Sequence, residues 1–130
     1  MKAKPLLILA ATLLMSSLAG GAVAKEMQMP YVRLAELEID PTQLESFKAA
    51  ATEEIEACVR VEPGVLALYA VYVKDHPDQV RVFEMYTDAD AYRAHLETAH
   101  FKKFAATTKD MVKFRKLMDG IPISLSAKAK

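Results

Sequence analysis

The chain has 130 residues, 52% hydrophobic and 26% charged, which suits one compact domain and excludes a disordered or collagen-like chain. Its 17 acidic residues balance 17 basic ones, and no basic stripe is interleaved with aromatics, so nothing marks a nucleic-acid partner.

The chain opens on a targeting pattern. Lys2 and Lys4 are positive, Leu6 to Met15 is apolar, and Ala22-Val23-Ala24 reads as an A-x-A cleavage site. The apolar run is too short for a bilayer span of roughly 20 residues. Residues 1–24 are therefore expected to be a cleaved signal peptide, and the mature protein periplasmic or secreted, with no membrane contact afterwards. Roughly 106 residues then remain from Lys25, enough for one core, which a partner subunit would help to bury. The single cysteine, Cys58, excludes an internal disulfide and falls on an apolar helical stripe, where a buried, inert thiol is expected.

Residues 25–30 read as a flexible lead. Tyr31 to Ile39 alternates with period two and predicts a strand, with Tyr31, Arg33, Ala35, Leu37 and Ile39 on one face. Asp40-Pro41-Thr42-Gln43 is a helix start, with Asp40 as cap and Gln43 placed to close a capping box. Leu44, Phe47, Ala51, Ile55, Cys58 and Val59 form one stripe, and Glu53, Glu54 and Glu56 are expected off it. The helix should end before Glu62-Pro63-Gly64.

Gly64 to Val73 is apolar on both alternating faces, so helices should cover one side and a second copy of the sheet the other. This predicts a homodimer. Lys74 to Gln79, including His76, reads as a polar turn, and Val80 to Thr87 as the returning hairpin strand. Tyr69 and Tyr72 lie on opposite faces of their strand; the register decides which meets the helices. Asp88 caps the next helix, Thr98-Ala99 breaks it, and a further helical run goes from His100 to about Met111. Lys113 to Met118 is a last strand, Asp119-Gly120 a turn, Ile121 to Leu125 an extended arm and residues 126–130 a tail. The order is β-α-β-β-α-β, an α+β, ferredoxin-like domain over residues 31–125.

No Gly-rich phosphate loop, G-x-S-x-G, C-x-x-C or H-E-x-x-H is present. The candidate chemistry gathers at the junction from Val80 to Phe101. Glu84 and Tyr86 share a mostly apolar strand face, where a carboxylate either pairs with Arg33 or Arg81 or sits in a pocket with a raised pKa. His95 and His100 are five apart, about 140° on an unbroken helix and too splayed for a metal pair. A break at Thr98-Ala99 could join them, with Glu97 or Glu84 completing a metal set. The alternatives are histidines capping the break, or a histidine acting as general acid or base. We assign no metal.

Glu62-Pro63-Gly64, Val82-Phe83-Glu84-Met85-Tyr86 and Ala94-His95-Leu96-Glu97-Thr98-Ala99-His100-Phe101 together resemble the antibiotic biosynthesis monooxygenase family, over roughly Tyr31 to Met118. The resemblance implies a dimeric α+β barrel of two ferredoxin-like sheets. It also implies a monooxygenase that oxidises a quinol or phenolic small molecule with molecular oxygen and no cofactor. His95, His100 and Glu84 fall at matching catalytic positions, with His95 as base. Tyr72, Tyr86, Tyr69, Phe101 and Arg33 are the expected substrate-binding residues. The alternatives are a non-catalytic periplasmic binding or stress protein on the same scaffold, or an isomerase of a small carbonyl compound.

Overall fold

A computed structural model describes residues 29–130; the expected signal peptide and residues 25–28 of the lead lie outside the described residues. Four strands form one antiparallel sheet: β1 (Tyr31–Ile39), β2 (Val65–Val73), β3 (His76–Tyr86) and β4 (Val112–Gly120), in the order β2-β3-β1-β4. The helices are α1 (Leu44–Val61), α2 (Ala89–Leu96) and α3 (Ala99–Thr108). The fold is the ferredoxin-like α+β arrangement, with its second helix broken into α2 and α3.

Local chemistry sets most boundaries. The Asp40 carboxylate accepts from Thr42 N at 2.9 Å and from Thr42 Oγ1 at 2.8 Å, starting a 3-10 turn (Pro41–Gln43) before α1. Gln43 makes no side-chain cap bond, so the expected capping box does not form. Asp88 caps α2 by accepting from Ala91 N at 2.7 Å, and Thr98 caps α3 by accepting from Phe101 N at 3.2 Å. Thr98 therefore ends one helix and begins the next, as its place between two helical patterns suggests.

Two expected turns are corrected. The hairpin turn is Lys74-Asp75 alone, with Val73 facing His76 and Asp75 at a φ of 67°. Aspartate tolerates that left-handed backbone, so two residues suffice and His76 starts the strand. Asp119-Gly120 continues β4, because Arg33 and Val32 of β1 pair with it. Ile121 to Leu125 forms no strand.

The register settles the faces. Ala35, Leu37 and Ile39 of β1 and Val80 of β3 point to the helices and pack on Phe47 of α1. Arg33 stands opposite Glu84, and Glu84 opposite Leu68, on that same side. Tyr72 is also on the helix side, under the Lys48 ammonium 5.0 Å from its ring centre. Tyr69 is on the other face, stacked on Phe83. That outer face carries Leu34, Tyr69, Val71 and Phe114; Tyr69 is 66% exposed and Phe114 52%.

The structure also corrects α1. Glu54, expected on its solvent side, is 7% exposed. Seven residues after Phe47 and four before Cys58, it lies within about 40° of both on the helical wheel, inside the buried stripe.

Candidate functional site

A cavity of about 150 Å³ lies between sheet and helices. Glu84 and Arg33 of the sheet, Glu54 of α1, Tyr92 and His95 of α2, and Phe101 of α3 stand around it among aliphatic side chains. The break between α2 and α3 delivers both His95 and Phe101 to it, with ring centres 4.8 Å apart. A continuous helix would turn them to different sides.

Glu84 projects from the middle of the sheet and is held by Tyr86, whose hydroxyl donates to Oε2 at 3.0 Å. Burial raises the Glu84 pKa above the ordinary carboxylate range, against the opposing pull of the Tyr86 bond and the Arg33 charge. Tyr86 is fully buried, and burial beside the Glu84 carboxylate pushes its phenol strongly up, so it stays a donor. Arg33 faces the Tyr92 ring at 4.6 Å, with Asp119 3.8 Å away. Arg81, the other expected partner of Glu84, lies on the outer side and donates to Val80 O and Gln79 Oε1.

Behind His95 lies a second, more buried group of polar side chains. Glu62, at the C-terminal cap of α1, turns its side chain inward. Its oxygens lie 3.2 and 3.1 Å from His95 Nδ1, and Oε2 lies 2.6 Å from His100 Nε2. One carboxylate thus accepts from both histidines across the helix break. Burial works to raise the Glu62 pKa, but the bonds from His100, His95 and Cys58 outweigh it and hold the carboxyl below its usual range. The Cys58 thiol donates to Glu54 Oε1 at 3.1 Å and lies 3.7 Å from His95 Nδ1. Burial, with the two carboxyl neighbours Glu62 and Glu54, pushes that thiol strongly up, which leaves it protonated and a poor nucleophile.

The expected site residues therefore divide. His95, Glu84, Arg33 and Phe101 meet at the cavity. Tyr86 supports Glu84 from within the core, and His100 reaches Glu62. Tyr72 is half-exposed near α1, outside the cavity wall, and Tyr69 is on the opposite face of the sheet. Sequence reasoning missed Glu54 and Glu62 as site residues. Their signal was the spacing Glu54-x-x-x-Cys58-x-x-x-Glu62, one helical face running through the apolar stripe.

The sequence profile of the antibiotic biosynthesis monooxygenases matches residues 30–107. The chain belongs to this family. A Bacteroides thetaiotaomicron structure given as a candidate antibiotic biosynthesis monooxygenase is 44% identical, with a TM-score of 0.75 over 80% of this chain and 99% of its own. A Nitrosomonas europaea structure given the same description is 25% identical, with a TM-score of 0.71, covering 77% of this chain and 96% of that one. A candidate monooxygenase from Lactobacillus acidophilus is 27% identical, with a TM-score of 0.69; the match covers 71% of this chain and 44% of that longer one. No curated protein sequence matches the chain. Membership of the antibiotic biosynthesis monooxygenases and these neighbours support a monooxygenase-type function.

Proposed function

We propose that the protein is an exported, homodimeric monooxygenase that oxidises a quinol or phenolic compound with molecular oxygen, the substrate itself supplying the electrons. The observation that carries this is the cavity: mostly apolar, about the volume of one benzene ring, and holding the partly buried Glu84 carboxyl, whose pKa is raised. That size favours a single-ring hydroquinone.

In this reading Glu84 takes the phenolic proton. A carboxylate raised by burial is a stronger base than one in water, and Tyr86 fixes its orientation. The Arg33 guanidinium on the same wall stabilises the phenolate, and the apolar lining keeps that charge from being damped by water. The electron-rich ring then reduces oxygen. Atoms balance without an outside reductant: hydroquinone and O2 give a hydroxyquinone and water, all four electrons coming from the ring. His95, the base expected from the sequence, has its Nδ1 held by Glu62, which leaves Nε2 for that role; in this reading the proton goes to Glu84, beside Arg33, and His95 packs with Phe101 against the ring.

The apolar outer face supports the dimer. Tyr69, Val71, Phe114 and Leu34 are what a second sheet would cover. The N-terminal charge, apolar run and A-x-A site support export.

The test is oxygen uptake with a panel of monocyclic hydroquinones, comparing wild type with Glu84→Gln and His95→Ala. Uptake above autoxidation that is lost in Glu84→Gln is expected. No uptake above buffer overturns the monooxygenase reading, and tight binding without turnover points to a binding protein.

A further inference from the structure

We propose that Glu54, Cys58, His95 and His100 form a closed binding site for a divalent transition-metal ion of the zinc class. One donor atom from each, a carboxylate oxygen, a sulfur and two imidazole nitrogens, lies within 4.8 Å of all the others. A tetrahedral zinc centre with bonds of about 2.0–2.3 Å spaces its ligand atoms about 3.3–3.8 Å apart. The cluster already approaches this: Cys58 Sγ is 3.1 Å from Glu54 Oε1 and 3.7 Å from His95 Nδ1. Side-chain adjustment of about an ångström closes the rest.

Two further observations point to a cation. Glu54, 7% exposed, has its Oε2 sealed from solvent with no hydrogen-bond partner among the described residues. A buried carboxyl oxygen left bare is costly, and a cation answers it directly. The ion-pair partners of Glu54 and Glu62 among the described residues are histidines alone, with no lysine or arginine. The site thus gathers two carboxyl groups and a thiol without a fixed positive charge.

The donors come from three elements. Glu54 and Cys58 are one turn apart on α1, His95 is in the last turn of α2, and His100 is in the first turn of α3. The helix break overcomes the splay that five-residue spacing imposes. Sulfur with imidazole selects zinc or cobalt over magnesium or calcium. Four protein ligands leave no open position, which is the pattern of a structural site. The ion would pin α1 to the α2–α3 corner, with the Glu62 carboxylate, now 3.1 and 2.6 Å from the two ring nitrogens, adding negative charge beside the four ligands. On binding, the thiol proton leaves to solvent, and each imidazole carries its proton on the nitrogen turned from the ion. Glu54 and His95 also stand on the cavity wall, whereas Cys58 and His100 do not line it, so variants at those two positions test the ion apart from the cavity chemistry.

The experiment is titration of the purified, reduced, chelator-treated protein with Co²⁺ and Zn²⁺. One equivalent of Co²⁺ per chain should give thiolate-to-cobalt charge-transfer absorption, Zn²⁺ should displace it, and Zn²⁺ should raise the melting temperature. Cys58→Ser should abolish the absorption, and His100→Ala should weaken binding about tenfold or more. His76→Ala, at the hairpin end, should leave both unchanged. Circular dichroism checks that each variant folds, and the wild-type spectrum stands without them. No stoichiometric binding at micromolar metal, or binding without the thiolate band, overturns the proposal. Oxygen uptake is read separately, so either reading can fail alone.

Discussion

Gly64 to alanine is the sharpest test of how the E-P-G turn positions the site. Glycine-to-alanine changes at ordinary backbone angles usually stabilise by about 0.4–1 kcal/mol, because the unfolded chain loses freedom. No glycine among the described residues has a positive φ, so that gain is available here. A Cβ at Gly64, however, would stand 2.5 Å from Ala91 Cβ and 3.5 Å from Ala91 Cα on α2. Carbon atoms pack at about 3.5–4.0 Å, so α2 must retreat by about 1 Å. Overpacking of this kind costs about 1–3 kcal/mol. The clash outweighs the entropy gain, and the expected net loss is about 1 kcal/mol, or about 4–8 °C in melting temperature for a domain near 100 residues. Urea unfolding should show a lower midpoint at unchanged slope. Adding Ala91→Gly should recover the clash energy and reveal a coupling of about 1 kcal/mol or more. Because α2 carries His95, the single variant should also impair any activity of the cavity. A Gly64→Ala protein as stable as wild type, or more so, would refute the close approach of turn and helix.

Glu84→Gln should lower turnover by about 10²–10⁴-fold with the fold intact, measured by oxygen uptake and circular dichroism. The Glu84 pKa is raised, so its contribution to stability is complete below its unfolded value and lost as pH rises through the folded pKa. Urea midpoints followed across pH should accordingly fall less on the alkaline side for Glu84→Gln than for wild type. Activity depends on the ionised form and should rise over the same window. Tyr86→Phe removes the hydrogen bond that opposes the upward shift, and should move the pH–rate profile to higher pH. Asp88→Ala removes the cap of α2 and should cost about 1 kcal/mol in chemical denaturation. Tyr69→Asp with Phe114→Asp places charge on the outer sheet face and should yield a monomer by light scattering; a retained dimer would show that this face is not the interface.

The elements could be read from the sequence because each is built from local signals that agree. Tyr31 to Ile39 alternates cleanly, and Asp40, Asp88 and Thr98 are capping residues where caps are needed. The two-residue turn at Lys74-Asp75 was hidden because polar residues continue through Gln79, although only Asp75 needs an unusual backbone angle. Whether Tyr69 or Tyr72 met the helices depended on pairing between strands, which no single strand encodes. The cavity wall was half visible: Glu84 and His95 stood out as polar groups on apolar patterns.

Glu54 and Glu62 did not stand out, for a reason that bears on what the buried cluster is. A glutamate beside other glutamates on a helix reads as a solvated face, and Glu53 and Glu56 are indeed exposed. Position alone distinguishes Glu54, in line with Phe47 and Cys58, yet a charged group in that line is normally excluded by its desolvation cost. Glu62 meets that cost visibly, through both histidines. Glu54 does not: one oxygen takes the Cys58 thiol and the other takes nothing among the described residues. Replacing Glu54 with leucine would then stabilise the metal-free protein if the carboxyl serves no ligand, since an apolar side chain suits the stripe better. If the cluster holds zinc, the same change should raise stability in chelator but reduce the stabilisation gained on adding Zn²⁺. Thermal unfolding of both proteins with and without the ion separates the cases. An Oε2 kept bare inside a core is explained only if the folded protein gains something there that leucine could not supply.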